Sequence, residues 1–184
     1  MWRVLFLFVC FSGFAQFPRL SPGFTAEEQA LILSGDTTKM LRVTQTTDPA
    51  DLKILSALSR DISPADPLLG LLARRMYLSV TDISTNGVGI AAPQVGINRN
   101  AIWVKRFDKP GLPFEFYINP KISWQSDLMQ LGAEGCLSIP GVRDSVVRSY
   151  AIQLSYSTLN GAHQTEVVEG FTAVIFQHEI DHLY

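Results

Sequence analysis

The feature that most constrains this chain is His178-Glu179-Ile180-Asp181-His182, read together with the apolar residues just before it. On an α-helix, side chains four apart stand one above the other. His178 and His182 can therefore present two imidazole nitrogens to a single ion. Stepping back by three and four residues gives Ile175, Val174 and Phe171, so the spacing predicts a helix whose apolar stripe carries both histidines toward the core. A buried, unpartnered imidazole is costly, and a metal would satisfy it. Glu179 falls beside such an ion and not on it, where a carboxylate can pass a proton between a water and a leaving amine.

Catalytic metals of this kind take three protein ligands and leave a position open for water. The third must come from upstream. His163, several carboxylates and Cys136 are the candidates, and Cys136 is the one cysteine outside the extreme N-terminus. It lies in Glu134-Gly135-Cys136-Leu137-Ser138, where Gly135 lets the backbone approach closely. A thiolate with two imidazoles suits zinc or ferrous iron.

Two further stretches bear on chemistry. Gly87-Val88-Gly89-Ile90-Ala91-Ala92-Pro93-Gln94 has little side-chain cover, which suits a substrate strand that must come close. Its one strongly polar side chain, Gln94, can donate its amide to an oxyanion. No Gly-Lys-Ser/Thr follows, so it is not a phosphate loop. Phe171, Val174 and Ile175 share the histidine face and are expected to enclose a linear apolar side chain, with Val88 and Ile90 opposite. Arg143 is expected at the cleft mouth and Arg148 in a structural pair with Glu134 or Asp181. His163 follows the Asn160-Gly161 turn and is expected in solvent.

Taken together and in this order, the Gly87–Gln94, Glu134–Ser138 and Gln177–His182 blocks resemble the three signature motifs of the peptide deformylases. The resemblance runs from about Leu41 to the end and includes Asn119-Pro120 and Arg148. It implies a metal site of Cys136, His178 and His182, usually holding Fe2+ although the ligands equally admit Zn2+, with Glu179 as general acid/base. It further implies an oxyanion held by Gln94 and by the N–H of Leu137, with N-formylmethionyl peptides as substrates. An exported metallopeptidase acting on unformylated peptides, or a formyl-peptide- or metal-binding module of low turnover, would use the same residues. Family members continue past the histidine pair, whereas this sequence stops at Tyr184, so His182 is expected near a helix end that frays.

The rest of the chain supports one α+β domain. Antiparallel strands at 97–104, 114–122, 146–156 and 166–168 are expected to fold around the C-terminal helix. A helix from Pro67 to about Ile83, capped by Asp66, should pack outside. Residues 41–184 are expected to form the catalytic domain, short at its C-terminal end, and 16–40 an N-terminal extension, in which Thr25-Ala26-Glu27-Glu28 reads as a capping box. Ahead of it, Arg3, the apolar run from Val4 to Phe11 and small residues at Gly13 and Ala15 read as a signal segment over 1–15, too short to span a bilayer. Export to the periplasm or beyond is the expectation if the segment works, and the cytoplasm otherwise. A formal charge of −2, with no basic cluster or aromatic platform, gives no case for nucleic acid. Two cysteines exclude a disulfide framework. Oligomeric state leaves no mark in the sequence.

Overall fold

The computed structural model describes residues 23–84 and 86–184, so the expected signal segment and residues 16–22 lie outside the described part. In chain order the elements are α1 (Ala26–Leu33), α2 (Pro49–Leu55), α3 (Leu69–Thr81), β1 (Gly89–Ala91), a 3-10 turn (Ala92–Val95), β2 (Ala101–Lys105), β3 (Phe114–Gln125), β4 (Met129–Cys136), β5 (Ile139–Ser149), β6 (Ala151–Ser157), β7 (His163–Glu169) and α4 (Gly170–Asp181). Five strands form an antiparallel sheet in the order β1-β2-β3-β6-β7, and β4 with β5 forms a separate two-stranded hairpin.

Side chains alternate across a strand, and here the alternation separates two cores. Ile90, Ala101, Phe116 and Ile118 point to one face, where they pack with Leu69, Leu72, Met76 and Val80 of α3 and Ile32 of α1. Ala91, Ile102, Val104 and Tyr117 point to the other, against Ala173, Ile175, Phe176 and Ile180 of α4. The sheet is thus the middle layer, with α3 outside and α4 lying between sheet and hairpin. Being covered from both sides, α4 buries every residue from Thr172 to Gln177 and also Glu179 and Ile180. It is a helix buried on all sides, broader in its burial than the single stripe read from the sequence. Phe171, at its start, is 53% exposed.

Several boundaries differ from the sequence reading for local reasons. The helix expected from Pro67 begins at Leu69, because Asp66 caps a preceding turn, its Oδ1 accepting from Leu68 N at 2.9 Å. The strand expected over 146–156 is two strands broken at Tyr150, where the chain leaves the hairpin for the main sheet. Gln177 of α4 holds that crossing, accepting from Ser149 N at 3.0 Å and donating to Ser149 O at 2.9 Å. Thr25 and Glu28 form the expected capping box of α1. Beyond α4, Leu183 is buried, its carbonyl accepts from Ser59 N at 2.9 Å, and Tyr184 Oη donates to Pro120 O at 3.3 Å. The residues after the second histidine are therefore anchored to the body. At the opposite end of α4, buried Arg106 pairs with Asp108 and Glu166.

Candidate metal centre and catalytic cleft

Three elements converge where α4 passes between the hairpin and β1. Cys136 is the last residue of β4, His178 lies within α4, and His182 is its C-cap. One ligand atom from each lies within 4.8 Å of the others, and Cys136 Sγ stands 3.3 Å from His182 Nε2. Among the described residues this is the one His/Cys/Asp/Glu group placed to hold an ion.

The surroundings prepare these atoms for that task. Glu134 Oε2 lies 2.8 Å from His178 Nδ1, which occupies that nitrogen and turns Nε2 toward the cluster. Arg148 in turn fixes Glu134, donating to both carboxylate oxygens at 2.9 and 3.0 Å, and it also reaches Asp181. Burial, followed by the nearby His178 and Arg148, holds His182 down at about 4, so its ring is neutral and able to ligate. Burial pushes the Cys136 thiol up, while hydrogen bonds from Ser138 and Ile139 N–H favour the thiolate. One thiolate and two oriented imidazoles fit a divalent zinc or ferrous ion.

Glu179 is 4% exposed, and its Oε2 has no hydrogen-bond partner among the described residues. Burial, and secondarily the charge of Glu134, raises its carboxyl well above the usual range. Gly89 makes room for it: a Cβ there would lie 2.5 Å from Glu179 Oε1, 2.8 Å from Cγ and 2.9 Å from Cδ. Gln94 is also buried, and Ala91 N–H donates to its Oε1 at 2.8 Å. Because the oxygen is taken, the NH2 must face the centre, where it lies 3.5 Å from Cys136 Sγ and 3.3 Å from Ser138 Oγ. The N–H of Leu137 has no backbone partner among the described residues, and its carbonyl accepts from Gln45 Nε2 at 3.0 Å.

A cleft of about 500 Å³ opens over these groups. Val88, Gly89, Gly135, Leu137, Arg143, Phe171, Val174 and Ile175 line it, together with Gln94, Cys136, His178 and Glu179. Ile90 is a correction. It is fully buried on the α3 side of the sheet, because strand alternation turns it away from the face that Gly89 shares with Glu179. Ile139 and Val142 of the hairpin complete the apolar wall in its place. His163 is exposed at the start of β7 and outside the ligand cluster.

Arg148, expected beside Glu134 or Asp181, reaches both, whereas the contact of Glu134 with His178 is not among the expectations from the sequence. The signal was available in principle, since Glu134 and Cys136 are two apart on one strand and so share a face. The roles of Ser138 and of Gly89 as the space for Glu179 left no comparable trace.

A Cys-His-His cluster with a buried carboxylate beside it, on an α+β scaffold, defines the class: hydrolases built on an HExxH helix. The polypeptide deformylase family model matches residues 40–184, and the chain belongs to that family. The activity that membership supports is removal of the N-formyl group from nascent peptides. A peptide deformylase of Synechocystis is 39% identical over 132 residues, 71% of this chain and 70% of that protein. One from Caulobacter is 35% identical over 144 residues, 77% of this chain and 82% of its own length. Among solved structures, the Met-Ala-Ser-bound class I type b peptide deformylase of Acinetobacter baumannii matches with a TM-score of 0.70 and 37% identity, over 78% of this chain and 92% of that one.

Proposed function

We propose that this chain hydrolyses the formamide of N-formylmethionyl peptides, with Cys136, His178 and His182 holding one Fe2+ or Zn2+ ion. The ion, when bound, supplies Lewis acidity toward water and the formyl oxygen. Glu179 accepts a proton from the water that adds to the formyl carbon and returns it to the departing amine nitrogen. Gln94 Nε2–H and Leu137 N–H donate to the formyl oxygen as it gains charge. Formate and a free N-terminal amine result. Phe171, Val174 and Ile175 enclose the methionine side chain with Val88, Gly135 leaves the peptide backbone room and Arg143 meets it at the mouth, while Gly89 gives up its side-chain space to Glu179.

The observation that carries this reading is Glu179 Oε2, without a hydrogen-bond partner among the described residues, buried beside a three-ligand cluster and facing a cleft into which the Gln94 amide is locked. Protein loaded with Fe2+ or Zn2+ should release formate from formyl-Met-Ala and leave the Met-Ala bond intact. Cleavage of free Met-Ala without formate release would favour the peptidase reading. Tight product binding without turnover would favour the binding-module reading. Comparing rate and retention with each metal decides between iron and zinc.

Residues 1–15 support a further proposal, export, on the strength of Arg3, the Val4–Phe11 run and the small residues Gly13 and Ala15. Sequencing the mature N-terminus after fractionation of the native host tests it. An intact Met1 in the cytosol would refute it.

A further inference from the structure

Residues 23–39 precede the stretch that matches the family, yet they are tied into the body by two buried arginines. Arg99 donates to Glu28 at 3.1, 2.9 and 2.7 Å and to Gly23 O at 2.7 Å. Arg75, 4% exposed, donates to the carbonyls of Leu31, Ile32, Lys39 and Met40 at 3.0, 2.8, 2.8 and 3.2 Å. Satisfied buried charges of this kind fix geometry, because leaving one unpaired is costly. The segment is thus held in one place.

That place is the back of the turn that carries Gln94. The 3-10 turn Ala92–Val95 closes at Gly96, whose φ of +86° is left-handed backbone. Leu31 Cδ2 of α1 lies 3.0 Å from where a Cβ on Gly96 would stand, so the leucine rests directly on the turn. Ile32 beside it is fully buried and shares a core cluster with Ala92 and Val95. Thr44 also holds the turn, its N donating to Gln94 O at 2.8 Å and its Oγ1 to Pro93 O at 3.2 Å. The turn is thus contacted both by Thr44 and by α1. Leu31 itself is 36% exposed and contributes little to the core, so its contact bears locally on the turn.

We propose that α1 is a positioning element for catalysis, with Leu31 bracing the Gly96 end of the turn so that the Gln94 amide stays aimed at the developing oxyanion. The inference rests on the role given to Gln94 above. It assigns work to a segment outside the family-matching region, and Leu31 acts only through Gln94.

The test is a double-mutant cycle on the metal-loaded full chain, reading formate release from formyl-Met-Ala, metal content and thermal midpoint. Leu31→Ala should lower kcat on the order of tenfold, a fraction of the hundredfold that a 1 Å misplacement costs. KM and metal content should hold, as expected for a donor that acts in the transition state. Leu31→Val should fall between, giving a milder truncation if the alanine variant folds poorly, and Leu31→Met should restore kcat. In a Gln94→Ala background Leu31→Ala should cost nothing more. An unchanged kcat in Leu31→Ala, or the same loss in both backgrounds, overturns the bracing role while leaving Gln94 in place. A fully active Gln94→Ala would overturn the oxyanion role and the bracing with it.

Discussion

Adding one methyl group at Gly89 should disable the enzyme without touching a ligand. The Cβ would sit 2.5 Å from Glu179 Oε1, about 0.9 Å short of an ordinary 3.4 Å contact, and within 2.9 Å of Cγ and Cδ as well. The entire carboxyl end must therefore leave its place beside the cluster, and at 4% exposure it has little room in which to do so. Gly89 lies in β1 without a left-handed φ, so alanine fits the backbone and the clash alone is probed. A shift near 1 Å in a proton-transfer group costs roughly a hundredfold in rate. The overpacking should cost about 1–3 kcal/mol of stability. Gly89→Ala protein should be assayed for formate release, with metal measured by elemental analysis and folding by thermal melt. The expected outcome is a folded, metal-replete protein with kcat down about a hundredfold. Combined with Glu179→Gln, the alanine should add almost nothing, since both act on the same group. Full turnover in Gly89→Ala would refute the claim that the carboxylate works from this position.

Glu179→Gln should keep the metal and lose on the order of a hundred- to ten-thousand-fold in kcat, because an amide cannot accept and return a proton near neutral pH; normal turnover with metal bound would sink the mechanism. Cys136→Ala should lose both metal and activity, whereas His163→Ala should retain both, as elemental analysis of each variant will show. Glu134→Gln should weaken metal affinity roughly ten- to a hundredfold, the usual effect of disturbing a ligand's orienting partner, measured by competition with a chelator. Asp108 is held down at about 2, chiefly by hydrogen bonding to Arg106 and despite its burial. Its stabilisation is present above the ordinary carboxylate value of 3.8 and is lost as pH falls from there toward about 2. Asp108→Asn should flatten that part of the melting-temperature profile.

The parts of the site read from sequence share a property: each lies on one continuous stretch whose period reveals its direction. His178, Glu179 and His182 are fixed relative to one another by the helix alone. The Gly87–Gln94 run likewise announces a bare backbone with one amide. What escaped is what depends on contacts between stretches. Met129-Gln130-Leu131-Gly132-Ala133-Glu134-Gly135-Cys136 has two glycines and no β-branched residue, so its sequence carries no strand signal; pairing with β5 makes it β4. The run around Ile90 points to the cleft, and the pleat sends Ile90 itself the other way. Residues 23–40 showed only a capping box, because the meaning of Glu28 lies in Arg99, 71 positions on.

The separation of the hairpin from the main sheet has one more consequence. Among the described residues no strand hydrogen bonds join β4 and β5 to the five-stranded sheet. Cys136 belongs to the hairpin and both histidines to α4, so the proposed ion closes a loop of some forty residues by joining two bodies that backbone pairing leaves apart. Affinity for the ion and seating of the hairpin, which Gln177 and Glu134 also help to hold on α4, are then linked by mass action. Stripping the metal would first appear as faster amide exchange in β4 and β5, with α3 and the five-stranded sheet still protected.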